Sequence, residues 1–433
     1  MKTSDVRLVI KNGTLIDGTG RAPRPNGTIV VEGSEITHVG GMDAVGEVRP
    51  SDTVIDATST FIMPGLIDGH VHLSSHQGAL PGVRFTSTPE FATLWAARNV
   101  SQILHAGVTG ISVPGGKWYV DVTIREAIDG GLLEGPRVFC AGRALTPYGG
   151  IYDSTEPTAD GAGPADSVGI LCNSIDDYVR ETRRQCKRGV NLIKIADSYW
   201  GDTQTVAPEE LTAVVNEAHR RGVKVAIHSR GSGSTRAAAL AGVDWIFHAD
   251  LATDDDLDAV AKAGIPIMPV FAQCLLVAEQ SQELGFSPTM RDRVTAQLET
   301  SYRTIEQARA RGIPILVGTD SGNAAAFGYG KYHGLEAEIF VKHLGFSPMD
   351  AIVAYTSLNA RVIGLDGRVG VIAPGKLADI ILWDEDPLAD ITVLQRPNQL
   401  TAVIKGGRVI DRTAEGFRRL EHEPRRARVT SQG

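Results

Sequence analysis

The chain has 433 residues, 42% hydrophobic and 22% charged, the make-up of a globular protein long enough for a large core. Lys and Arg number 43 against 51 Asp and Glu, a formal net charge of −8, which argues against nucleic acid or an anionic membrane as the main partner. No run of 18 apolar residues occurs, so no transmembrane helix is expected.

The apolar run within Met1–Ile10 is too short and interrupted for a signal sequence. Residues 1–58 read as short strands at Val6–Ile10, Thr28–Glu32, Glu35–Val39 and Val54–Asp56, with turns at Asn12-Gly13, Asp17-Gly18 and Glu32-Gly33. From 59 to 365 the rhythm changes to apolar strands alternating with helical segments. The strand candidates are Phe61–His72, Val108–Val113, Arg137–Gly142, Val190–Ile195, Val223–His228, Trp245–His248, Ile265–Val270 and Ile313–Asp320. Ser174 caps a helix over Ile175–Arg188, with Arg and Lys in its last turns. Pro208–Arg221 opens on proline and two glutamates, carries Leu211, Val214, Val215 and Ala218 on one face, and stops at Gly222. Eight strands alternating with helices make an α/β chain with the count of a (β/α)8 TIM barrel; a doubly wound sheet would show a G-x-G-x-x-G after its first strand, and none does. Residues 366–416 return to the early texture, at Ala378–Trp383, Ala402–Lys405 and Arg408–Ile410. Segments from both chain ends are expected to pair into a small β-sandwich domain. The Arg-rich residues 417–433 read as a frayed tail. Cys140, Cys172, Cys186 and Cys274 are scattered with no C-x-x-C, which favours a reducing cytoplasm over a disulfide framework.

Several residues able to do chemistry close apolar strands, and strand C-termini converge on one mouth of a barrel. His70 and His72 follow the apolar run before them at i and i+2, the spacing that puts both rings on one side of an extended chain. Lys194 interrupts Val190–Ile195, a costly place for an ammonium; it is either ion-paired or snorkelling, or a neutral amine able to react with carbon dioxide. His228 and His248 end neighbouring strand candidates; each alone reads as a core histidine, and together they read better as metal ligands. Asp320 ends the last strand, as a helix cap or as a ligand that also moves a proton. Imidazole and carboxylate donors without thiolate suit zinc, manganese, iron, cobalt or nickel.

At these residues the sequence resembles the amidohydrolase superfamily over nearly its whole length. Pro64–His72 is similar to the strand-one metal motif, Gly364–Asp384 to the return into the small β domain, and Asn191–Ser198 to the carboxylated-lysine stretch of the imidazolonepropionase-like and Xaa-Pro dipeptidase-like group. The resemblance implies two divalent ions, zinc foremost. His70, His72 and Asp320 would hold one, His228 and His248 the other, and carboxylated Lys194 would bridge them. It implies hydroxide attack on an amide-type C–N bond of a small, aromatic or dipeptide-like substrate, with Asp320 passing the proton to the leaving nitrogen. The single-metal deaminase branch carries a Glu where this chain has Gly231. Urea or carbamate hydrolysis is the near alternative, a lactonase or phosphotriesterase-like activity a further one, and a non-catalytic scaffold is disfavoured because all six positions are filled. Arg230 reads as a carboxylate clamp or an ion pair, Tyr199 and Trp200 as an aromatic wall, Tyr148 as part of a substrate loop, and His333 as a lid or pocket residue. The implied partner is a small molecule; a homo-oligomer is left open.

Overall fold

Two strand textures build two kinds of sheet. The computed structural model describes residues 7–42, 48–74, 88–153, 167–198, 203–322 and 328–412. Its strands, in chain order, are β1 (Arg7–Leu15), β2 (Arg24–Glu32), β3 (Glu35–Gly40), β4 (Thr53–Asp56), β5 (Phe61–Pro64), β6 (Leu66–Asp68), β7 (Val108–Val113), β8 (Arg137–Cys140), β9 (Ala144–Thr146), β10 (Gly169–Leu171), β11 (Leu192–Ala196), β12 (Lys224–Gly231), β13 (Trp245–Leu251), β14 (Ile267–Met268), β15 (Ile380–Trp383), β16 (Leu400–Lys405) and β17 (Arg408–Val409). The architecture is mixed α/β.

Strands from both chain ends join one sheet in the order β17-β16-β15-β5-β1-β2-β3, with β4 beside β1. These strands form a single hydrogen-bonded sheet. β1 carries register shifts against β2 between Ile10 and Gly13 and between Gly13 and Leu15, the mark of bulges. The two ends meet where Ile36 N–H donates to the Lys376 carbonyl (2.8 Å) and Ala378 N–H to that of Ser34 (2.9 Å). Leu8, Ile10, Ile29, Ile62, Ile380 and Ile404 fill the space between.

The middle of the chain forms parallel ladders, β6-β7-β8 and β10-β9-β11-β12-β13-β14. The expected strand Phe61–His72 is split. Pro64 has no N–H to donate, and Gly65 lies so close to Thr109 that a Cβ would sit 2.1 Å from its Oγ1. β5 therefore serves the terminal sheet and β6 the parallel one. The expected strand Ile313–Asp320 makes an isolated bridge, Ile315 to Ile267, instead of a ladder. Pro314 again lacks an N–H, and the buried Asn359 amide replaces strand pairing: its Oδ1 accepts from Val317 N–H (3.0 Å), and its Nδ2 donates to the carbonyls of Ile67 (2.6 Å) and Val317 (2.7 Å). Further bonds run from Leu316 N–H to the Ile267 carbonyl and from Gly69 N–H to the Val317 carbonyl, so this segment links β14 to the chain after β6. Asn191 N–H to the Cys140 carbonyl (2.8 Å) ties β8 to the chain before β11.

The helices follow local signals. Ser174 Oγ accepts from Asp177 N–H at the start of Ile175–Lys187. Pro208 opens Pro208–His219, which buries Leu211, Val214, Val215 and Ala218. Arg137, at the start of β8, pairs in bidentate fashion with Asp379 just before β15 (2.7 and 2.9 Å) and joins the two sheet systems. The four cysteines form no disulfide. Among the described residues no helix is long and apolar enough to cross a membrane.

Candidate metal centre

The chain leaves β6 at Asp68 and stays extended between two neighbours. Val71 N–H donates to the Ser112 carbonyl and His72 N–H to that of Ser321, while His70 offers its own carbonyl to Asp320 N–H. Extension places His70 and His72 on one side, as their spacing predicts. Their Nε2 atoms come within 3.2 Å of each other, and Asp320 Oδ1 lies 3.4 Å from the first and 3.0 Å from the second. These three buried side chains form a group fit to hold a metal ion. Asp320 has φ +58°, a left-handed backbone that costs ~1–3 kcal/mol outside glycine and that clusters at functional sites. Gly318 is required beside it, because a Cβ there would meet Met268 Sδ at 2.4 Å.

The second coordination layer sets the donor atoms. His72 Nδ1 faces the Gly115 carbonyl at 2.7 Å; a carbonyl only accepts, so Nδ1 carries the proton and Nε2 presents a lone pair. That lone pair confronts a carboxylate oxygen at 3.0 Å. Two acceptors in contact repel, and a cation between them removes the conflict. The donor set therefore fits a metal ion.

Lys194 lies in β11 with 1% of its surface exposed, and its Nζ has no hydrogen-bond partner among the described residues. It sits 3.5 Å from the centroid of the Phe247 ring. Burial holds its ammonium well below the usual lysine range, against the opposing pull of Asp320. His228 and His248 emerge from β12 and β13 with ring centroids 4.4 Å apart, and the His248 ring lies 6.1 Å from that of His70. Burial first, then the neighbouring charges, lowers the protonation of His70 and of His248 well below the ordinary histidine value. Neutral imidazoles are the form that binds metal. His248 also has a left-handed backbone, φ +71°.

Residues 61–410 match the family model described as the amidohydrolase family. The chain belongs to the amidohydrolase family. It is similar to an ochratoxinase from Aspergillus niger (26% identity, 93% of this chain, 86% of that one) and to an imidazolonepropionase from Anaeromyxobacter sp. strain K (25% identity, 95% and 97%). Among solved structures it resembles a Xaa-Pro dipeptidase with bound methionine in the active site: TM-score 0.81, 28% identity, 93% of this chain and 99% of that one. Family and structural likeness imply a TIM-barrel fold. The amidohydrolase is thus an enzyme, a hydrolase of C–N bonds from a metal-dependent family.

The substrate-side expectations fare differently. Arg230 is no open clamp in this amidohydrolase. Its guanidinium is buried and pairs with Asp250, which also accepts from Gln297 Nε2 (3.3 Å) and Ser301 Oγ (3.1 Å). β12 and β13 run parallel with Ser229 opposite His248, and a register shift then sets Gly231 opposite Leu251, which brings Arg230 beside Asp250. Arg230→Met should destabilise the fold by ~3–5 kcal/mol by leaving Asp250 uncompensated. Adding Asp250→Leu should restore most of it in chemical denaturation, and a single variant as stable as wild type would refute the pairing. His333, expected as a lid or pocket residue, is 2% exposed and its Nδ1 lies 2.7 Å from Asp68 Oδ2. Tyr148 is 45% exposed, and its N–H donates to Asn173 Oδ1. Tyr199, Trp200 and the tail 417–433 lie outside the described residues.

Sequence reasoning passed over Asp68. Its carboxylate accepts from His70 N–H, Thr319 N–H, Thr319 Oγ1 and His333 Nδ1, and so ties the two ligand-bearing segments together. The signal was an acid inside the apolar run Leu66-Ile67-Asp68. Tyr152 was also passed over; burial, with the Asp320 charge second, pushes its phenol pKa up.

Proposed function

We propose that the protein hydrolyses an amide-type C–N bond of a small, aromatic or dipeptide-like substrate at a centre of two divalent ions, with zinc the first choice. The observation that supports this most directly is the convergence of His70, His72 and Asp320 beside Lys194, whose buried Nζ has no hydrogen-bond partner among the described residues. His70, His72 and Asp320 would hold one ion and His228 and His248 the other, with Lys194 as N6-carboxylated bridge. For that modification the Nζ lone pair attacks carbon dioxide, an N–C bond forms, and one amine proton leaves. The ions, when bound, supply Lewis acidity and make water a nucleophile near neutral pH. The chain's own part is positional and protonic. The Gly115 carbonyl fixes the His72 tautomer, Asp68 braces both ligand segments, and the Asp320 carboxylate takes the proton from the attacking water and returns it to the leaving nitrogen. The domain reading that accompanies this is a (β/α)8 barrel over 59–365, with 1–58 and 366–416 as a terminal β-sandwich unit and 417–433 as a tail. It is supported by parallel ladders whose edges are joined through residues 313–321.

A second reading, urea or carbamate hydrolysis, has one observation in its favour. Arg230 is committed to Asp250, so it offers no ready cation to a dipeptide carboxylate. Elemental analysis of the purified protein is the first test, with about two metal ions per chain expected. One ion would point to a mononuclear enzyme with unmodified Lys194, and none after metal supplementation would overturn the proposal. A panel of aryl amides, dipeptides, aryl ureas and lactones then separates substrate classes; turnover of lactones alone would refute C–N specificity.

A further inference from the structure

A cavity of about 390 Å³ lies where the parallel strands meet the terminal sheet. It is at the opposite end of the strands from the metal centre, because Arg137 begins β8 whereas His70, His72 and Asp320 follow strand ends. Three cations line it: Arg137, Lys405 and Arg408. Lys405 and Arg408 are directly opposite each other in the antiparallel pair β16–β17, joined by Gly406-Gly407. Like charges in that position repel. Arg137 is close as well, since a Cβ on Gly406 would lie 3.7 Å from its Nη2.

Three carboxylates, Asp379, Asp129 and Glu134, act on Lys405 through space, and among the described residues only Asp379 is in an ion pair with a cation of the cavity. Asp379 is used by Arg137 and by Gly406 N–H. Glu134 lines the cavity without forming an ion pair among the described residues. No ion pair or hydrogen bond engages the Lys405 or Arg408 side chain among the described residues. Burial first, then the Arg137 charge, press the Lys405 ammonium below its ordinary value, against the opposing pull of Asp379, Asp129 and Glu134. The rest of the wall is apolar: Ile128, Leu133, Leu377 and Ile410, with Ser34 adding a hydroxyl.

We propose that this cavity binds a small organic oxyanion, a negatively charged head held among Lys405, Arg408 and Arg137 with an apolar body against Leu133 and Leu377. The ligand would neutralise the opposed cations and clamp the joint between the two sheet systems, apart from the catalytic mouth.

Benzenesulfonate is a suitable probe, because it combines an oxyanion with an apolar ring and ligates metals weakly. Isothermal titration of the metal-loaded full chain should give one saturable site per chain, and the neutral isostere methyl phenyl sulfone should give none. Lys405→Met should weaken binding at least ~10-fold, a loss of about 1.4 kcal/mol. Arg408→Gln, at an exposed position that leaves the core untouched, should weaken it by several-fold. Hydrolase activity of both variants should equal wild type. Absence of saturable binding to wild type would overturn the site. So would unchanged affinity in both variants, or binding lost on metal removal and retained in the variants, which would assign the probe to the catalytic centre.

Discussion

Lys194→Ala is expected to lose metal and activity together. The side chain is almost fully buried, its nitrogen has no hydrogen-bond partner among the described residues, and it faces the aromatic ring of Phe247 and the histidines of the metal centre. A lysine with a purely structural role in such surroundings would be a liability, since burying an unpaired amine is unfavourable and an apolar replacement is tolerated or stabilising. A lysine that becomes a ligand behaves in the opposite way. Removing it leaves the ions without their bridging anion, and kcat should fall by more than the ~10–100-fold typical of partners one shell further out. The alanine variant also leaves a cavity of the right depth for a short carboxylate, so acetate or propionate should restore part of the rate and of the bound metal. Metal counts by elemental analysis and kcat with and without added acid decide the matter. Full metal occupancy with a normal rate would remove Lys194 from the centre.

Asp320→Asn should leave the fold intact and lower kcat by ~10²–10⁴, the range for loss of a positioned acid–base group. The substitution preserves shape, so the left-handed backbone at this position, already tolerated in Asp, suits Asn equally well. The amide cannot carry the proton from water to the leaving nitrogen. Measured at saturating metal, the loss should fall on kcat with KM little changed, the pattern of an interaction made only in the transition state. A change confined to KM, or a rate restored by metal alone, would make Asp320 a ligand without a proton-transfer role.

Much of the candidate centre was legible because polar groups interrupt or end apolar runs. His70, His72 and Asp320, which the fold brings together, and the proposed ligands Lys194, His228 and His248 could each be found from a polar group breaking a strand pattern, and strand ends in a parallel α/β chain share one mouth. The substrate side was not legible in the same way. Arg230 looked like a ligand clamp because periodicity reports which face a residue occupies and says nothing of what lies across from it. Its partner Asp250 comes from the next strand, fixed by the β12–β13 register. The contact of His333 was not legible because the carboxylate that holds it, Asp68, lies far away in the sequence.

The sequence by itself determined the alternation of strands and helices and the positions of the candidate ligands in or after apolar strands. These are local properties, set by burial period, capping and turn chemistry over a few residues. Tertiary structure alone decided that the run before His70 divides at Pro64-Gly65 between two sheets, that an asparagine amide replaces strand pairing at Val317, and that strands from both chain ends join one sheet. It alone decided, too, which buried charges are matched: Arg230 by Asp250 and Arg137 by Asp379. Such matches depend on register and closure between segments that no local pattern connects.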